Sequence, residues 1–136
     1  MAEQLEGRPR EIFTEGKNYA HVSIPRQDGT VQSVIVWTHA DADGNVTLNS
    51  AEGRAWPANL RKAGTATVTL MAEGNPYEYV AVTGRLTGDT HDGADENIDF
   101  LAKKYIDADS YPFRTEGEQR ILFTLRPERV NYVNQG

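Results

Sequence analysis

The chain is 136 residues long with a net charge of −6, a length that suits one domain and a balance without the broad basic face that nucleic-acid binding requires. Its 38% apolar and 25% charged residues are those of a soluble globular protein, and apolar runs such as Val34 to Trp37 fall far short of the ~20 residues of a membrane-spanning helix. The absence of cysteine excludes disulfides, thiolate nucleophiles and Cys-ligated zinc or iron–sulfur centres.

Glu3 to Thr14 reads as a weak N-terminal helix. Ala20, Val22 and Ile24 alternate on one face of a strand that ends at the hairpin turn Asp28-Gly29. Val31 to His39 is the next strand, apolar on both faces from Val34 to Trp37. Asp41 to Asn45 is a second turn. Its Asp41-x-Asp43-Gly44 lacks the later ligands of a calcium loop and has hairpin chemistry. Asn45 to Ser50 is a short strand. Pro57 suits the first position of a short helix, Ala58 to Ala63, with Gly64 as its stop. Thr65 to Met71 alternates again, Gly74 to Pro76 turns, and Tyr77 to Leu86 is a fifth strand. Asp92 to Ile106 is the longer helix, with Ile98, Leu101, Ala102, Tyr105 and Ile106 at helical spacing and charges that complement its dipole. Ser110 to Phe113 breaks the pattern; Ile121 to Leu125 and Val130 to Val133 form one final strand or a bent pair. The sum is a single domain over residues 1–136, mainly β with helices. It has about six largely antiparallel strands, which suggests a small barrel. No basic and apolar leader opens the chain, so the expected location is cytoplasmic, with neither membrane nor nucleic acid as partner.

Chemistry-bearing patterns are few. His21, His39 and His91 lie at no metal-ligand spacing from one another, and no metal is expected; as imidazoles they read as half-buried or surface residues. There is no nucleophile elbow, P-loop or dinucleotide fingerprint. The exception is Asn49 to Lys62. This segment sets Arg54, Arg61 and Lys62 beside small polar side chains and a helix N-terminus, in an otherwise acidic chain. Free N–H groups of a first helical turn plus an arginine can hold a phosphate; the same residues also suit a solvated loop and an ordinary basic helix face. Tyr77 and Tyr79 share one strand face, and Trp37 and Trp56 lie near this segment in sequence. They serve either as flat walls for an aromatic cofactor or as core and interface aromatics.

Several stretches together resemble a known family. They are Val22 to Gly29, Ser33 to Trp37, Asn49-Ser50 with Gly53-Arg54, Asn59 to Arg61, Asn75 to Tyr79, Val82 to Arg85, Gly93 to Tyr105, Tyr111 to Arg114 and Arg126 to Val130. In order and spacing the chain resembles the pyridoxamine 5'-phosphate oxidase-like split-barrel superfamily, and more closely its actinobacterial branch of F420-dependent oxidoreductases. The resemblance spans about residues 12–133.

The resemblance implies a six-stranded split β-barrel, the FMN-binding split barrel, assembled as a homodimer with two cofactor sites in grooves between subunits. It implies coenzyme F420 as cofactor, with FMN as the alternative. The reaction is then hydride transfer from the reduced cofactor to a small unsaturated organic substrate. A non-catalytic flavin, F420 or tetrapyrrole binding protein and an FMN-dependent oxidoreductase are the competing readings. Position by position, Ser50, Arg54 and Asn59 match the phosphate-proximal stretch, and Arg61 and Lys62 the basic helix after it. Gln32, Ser33 and Val34 match the strand bordering the ring system, and Tyr77 and Tyr79 match aromatics near the groove. Tyr79 and His39 are candidate proton donors. One departure stands out: many relatives carry a Lys or Arg two residues after the position of Arg54, where this chain has Trp56 followed by Pro57. Losing that cation costs about one charge-assisted hydrogen bond, ~1.5–3 kcal/mol, unless Trp56 stacks on a ring or lines a substrate pocket. Pocket shape is expected to depend on both subunits and on the loop from Tyr111 to Arg120.

Overall fold

The computed structural model describes residues 2–135. In chain order its elements are α1 (Gly7–Thr14), β1 (Ala20–Pro25), β2 (Val31–Val36), β3 (Thr38–Ala40), β4 (Val46–Ala51), α2 (Ala55–Ala63), β5 (Thr65–Ala72), β6 (Asn75–Thr90), α3 (Ala94–Ile106) and β7 (Arg120–Asn134). The strands form one antiparallel sheet in the order β2-β1-β5-β6-β7-β4-β3. Its two edge strands are neighbours in sequence, with only Trp37 between them. The sheet must therefore curl until its edges approach each other at Trp37.

The expected single strand from Val31 to His39 is in fact two. Val34 and Val36 turn toward the core and Ile35 outward, and the chain breaks pairing at Trp37. This makes seven strands among the described residues rather than six. A short apolar run fixes burial on both sides but not where a strand changes partner. The last strand, expected as one or as a bent pair, is continuous from Arg120 to Asn134. Its bend is absorbed at bulges against β6, where Gly84 faces Pro127 and Gly88 faces Thr124. A Cβ on Gly88 would lie 2.9 Å from the Thr124 side chain, so close approach of the two strands requires glycine there.

The helices differ from expectation mainly at their starts. Gly7 takes φ +60, which a continuing helix cannot accommodate, so α1 begins there instead of at Glu3. Glu3 extends instead along β7, donating its N–H to Glu128 O and accepting from Val130 N–H. α2 starts at Ala55, two residues before Pro57, and Gly64 caps it in the left-handed conformation. α3 starts after Gly93 and carries Asp95 and Glu96 in its first turn, Lys103 and Lys104 in its last.

The core lies inside the curl, where Phe13, Val22, Ile24, Leu48, Leu60, Leu70, Ile121, Phe123 and Leu125 are fully buried. A smaller cluster of Ile98, Leu101 and Tyr105, joined by Trp37 and Tyr111, seats α3 against the Trp37 corner. Lys104 ties three elements together. Its Nζ donates to Phe13 O at 2.6 Å and Thr38 O at 2.8 Å, and lies 3.2 Å from His39 Nδ1, which accepts. Burial, and secondarily the Lys104 ammonium, push His39 down to about 4, and burial lowers Lys104 to about 8. Hydrogen bonds from Arg61 and His91 hold Glu52 at about 2, and those from Arg8 and Tyr132 do the same for Glu78.

These shifts fix an expected acid response. Between pH 6.5 and about 4 the unfolded chain takes up a proton on His39 that the folded chain refuses, so stability falls as pH falls through that window. Between 4.5 and about 2 the carboxylates of Glu52 and Glu78 add a second loss of the same sign. Urea midpoints measured from pH 7 to pH 4 should decline, and His39→Gln should flatten that decline. An unchanged slope in the variant would assign the acid response to other groups.

Candidate functional site

Strand β2 is an edge strand, paired only with β1 among the described residues. Alternate N–H and C=O groups along its other edge are therefore open to a ligand. Gln32 and Val34 share its inner face, while Ser33 and Ile35 point outward. From Gln32 to Val36 this edge runs ~13 Å. Near its start, Asn59 on α2 donates to Gln32 Oε1 at 2.6 Å. A cleft of about 250 Å³ opens there, lined by Asn59, Lys62, Arg26 and Asp28.

The other end of β2 runs into a cavity of about 320 Å³ beside the Trp37 corner. Trp37, Tyr111, Phe113, Ile98 and Leu101 supply its apolar walls, and Arg54, Arg120 and Asn49 its polar groups. Trp37 stacks on Tyr105 at 5.5 Å and 6°, and meets Tyr111 edge-on at 6.1 Å. The loop carrying Tyr111 and Phe113 is tied to α3. Asp99 Oδ1 accepts from Tyr111 N–H at 2.8 Å and from Arg114 at 3.0 Å. Glu118, at the end of that loop, accepts from Arg120 Nη1 at 2.6 Å and from Arg54 Nη2 at 3.4 Å.

Helix α2 bridges the two openings, with Arg54 at its start and Lys62 at its end. Arg54 is its N-cap residue and makes no side-chain cap, so the first-turn N–H groups lack a side-chain acceptor. Ser50, four residues earlier, is fully buried, and its hydroxyl has no hydrogen-bond partner among the described residues. A half-exposed arginine at an uncapped helix start forms a donor set suited to a phosphate, whereas the buried Ser50 lines neither opening.

Other sequence candidates lie elsewhere. Trp56 does not line the cavity. It is a core residue, 7% exposed, with its ring 5.7 Å from that of Phe123, because α2 must bury one face on the barrel. Arg61 is held bidentately by both Asp89 and Glu52, at 2.8–3.0 Å, so two carboxylates already match its charge. His39 sits with Lys104 and Phe100, away from both openings. Tyr77 and Tyr79 lie on the outer face of β6. There Tyr79 lines a groove of about 730 Å³ with His21, Ile35 and Met71. Tyr19 and Ile35 border both this groove and the aromatic cavity, so the two adjoin. Sequence reading passed over Asn49, Glu118 and Arg120 as site residues. Asn49 opens the basic segment that runs to Lys62, and Glu118 and Arg120 end the loop from Tyr111 that was expected to shape the pocket.

No protein-family model and no curated protein matches the chain significantly. Solved structures do match. An F420 reductase superposes with a TM-score of 0.78 at 21% identity, over 93% of this chain and 98% of that one. A Listeria innocua protein named after pyridoxamine 5'-phosphate oxidase gives 0.68 at 11%, over 91% and 94%. A heme binding protein from Mycobacterium smegmatis gives 0.66 at 18%, over 93% of this chain and 54% of that one. At these identities the likeness is one of fold. The curled antiparallel sheet is that of the pyridoxamine 5'-phosphate oxidase-like split-barrel proteins.

Proposed function

We propose that the protein is a split-barrel oxidoreductase that binds coenzyme F420 and passes a hydride to a small unsaturated organic substrate. One observation carries the reading: the uncapped start of α2, with Arg54, adjoins an aromatic cavity at the end of an open strand edge. A flat ring with a phosphate-bearing tail needs those three features in that order. The F420 reductase of the same fold supports it.

When bound, the cofactor supplies hydride chemistry, so no nucleophilic side chain is required. The chain's own residues bind and orient. Arg54 and the α2 N–H groups would hold the phosphate. The edge of β2 at Gln32, Ser33 and Val34 offers backbone hydrogen bonds to the ring, and Asn59 fixes Gln32 for the same purpose. Lys62 adds positive charge at the far end. Trp37, Tyr111 and Phe113 exclude water from the reacting edge. FMN is the alternative cofactor for this donor set.

We also infer a homodimer. The outer face of β2-β1-β5-β6 is unpartnered among the described residues and carries small residues, Ser23, Ser33, Thr67 and Thr83, flanked by exposed Val31, Ile35 and Met71 and half-buried Tyr79. A second copy seated there would bring Tyr77 and Tyr79 to its partner's cavity, since the groove and the cavity share Tyr19 and Ile35. Sedimentation should give about twice the 15.1 kDa of one chain, and Ile35→Lys should give single chains. A wild-type protein that sediments as one chain contradicts the shared groove.

The heme binding protein of the same fold supports a second reading, a carrier of a flat cofactor without turnover. Thermal melts with F420, FMN and haem separate the cofactors, since a ligand at a hundredfold excess over its Kd stabilises by ~2.7 kcal/mol. Oxidation of reduced F420 by enones, quinones or nitroaromatics is the expected result. Binding without oxidation by any of these favours the carrier.

A further inference from the structure

Arg120 is a buried cation, 4% exposed, and it lines the aromatic cavity. Its Nε donates to Asn49 Oδ1 at 2.9 Å and its Nη1 to Glu118 Oε1 at 2.6 Å. Its guanidinium lies over the Tyr111 ring at 5.0 Å. Among the described residues Nη2 has no hydrogen-bond partner.

The orientation of this guanidinium is set from behind. Asn49 donates both of its amide hydrogens, to Ala94 O and Asn97 Oδ1 at 2.9 Å each, which leaves its oxygen for Arg120. Burying an arginine is costly unless its charge is matched. Glu118 does not match it fully, because the same carboxylate oxygen also faces Arg54. Two arginines and one carboxylate leave one positive charge at the polar wall of a cavity whose other walls are aromatic. Those walls are fixed: Trp37 by its stack on Tyr105, and Tyr111 by its N–H bond to Asp99.

The geometry points to Arg120 as the anchor for the carboxylate of a planar conjugated substrate, whose body lies against the apolar walls of the cavity, Trp37, Ile98, Leu101 and Phe113 among them. Asn49 and Glu118 are positioning residues for that anchor. A single net positive charge suits a monocarboxylate better than a dianionic phosphate, and a cavity of about 320 Å³ suits a molecule of one or two rings. This assignment deepens the redox reading by naming the substrate class, and depends on it only for what happens after binding.

The test is calorimetric titration of the full chain with trans-cinnamate, methyl cinnamate and inorganic phosphate, with and without F420. The acid should bind at least tenfold tighter than the ester. Arg120→Met should reduce the acid to the affinity of the ester and leave F420 affinity unchanged. Glu118→Gln should tighten the acid severalfold, since the amide oxygen still accepts from Arg120 but no longer cancels its charge. A merely structural Glu118 would give no such gain. Equal binding of acid and ester overturns the anchor, as does weaker acid binding in Glu118→Gln, or displacement of the acid by equimolar phosphate. Parallel loss of F420 and acid in Arg120→Met would make Arg120 a cofactor ligand and overturn the anchor. If Arg120→Met does not fold, the acid-to-ester ratio and Glu118→Gln still decide. Acid binding without F420 binding overturns the redox reading and leaves the anchor standing.

Discussion

Replacing Arg54 by alanine is expected to weaken binding of F420 or FMN roughly ten- to a hundredfold, while the melting temperature barely moves. The size follows from one hydrogen bond to a charged group, ~1.5–3 kcal/mol, at about 1.4 kcal/mol per factor of ten. The small effect on stability follows from the surroundings. The Arg54 side chain is half exposed, and its hydrogen bond to Glu118 is a long 3.4 Å. Exposed pairs of that kind contribute little. Arg61→Ala is the contrasting variant. Arg61 bridges Glu52 and Asp89, so its loss should lower stability and leave cofactor affinity nearly intact. Fluorescence titration of both variants separates the two roles. An unchanged Kd in Arg54→Ala would remove Arg54 from the phosphate site.

Trp56→Ala is the substitution expected to damage the fold most. A fully packed aromatic replaced by alanine costs ~3–5 kcal/mol, from lost transfer energy and the cavity left behind. Trp56 and Leu60 form the buried side of α2, and Phe123 lies beneath. Their packing sets where the start of α2, and with it Arg54, stands relative to the cavity. Urea denaturation of Trp56→Ala measures the loss. Trp56→Phe distinguishes packing from ligand stacking. If Trp56 is core, the phenylalanine variant loses part of the stability and keeps wild-type cofactor affinity. If Trp56 stacks on a bound ring, affinity falls while stability holds.

The two variants also mark where sequence reading reached and where it stopped. Trp56 stood in the sequence as a substitute for a cation, open to ring stacking, pocket lining or a place in the core. The fold takes the last of these, because the apolar positions of a nine-residue amphipathic helix are set by which face meets the barrel. Arg61 and Lys62 were indistinguishable as charges. Only the positions of Glu52 and Asp89, on separate elements, show that one is matched and the other borders the cleft with Asn59. Likewise Glu118 lies 64 residues from Arg54, and no local pattern relates them.

Local chemistry in the sequence was enough for the antiparallel strands, the turns at Asp28-Gly29 and Asp41 to Asn45, the left-handed stop at Gly64 and the body of α3. Each of these depends on residues within a few positions of one another. The tertiary structure alone decided the split of one strand into two at Trp37, the burial of Trp56, and the meeting of Arg54, Asn49, Glu118 and Arg120 around an aromatic cavity. Those features arise where a sheet curls until its edges approach, and closure of that kind brings together residues from distant parts of the chain whose spacing in sequence carries no trace of it.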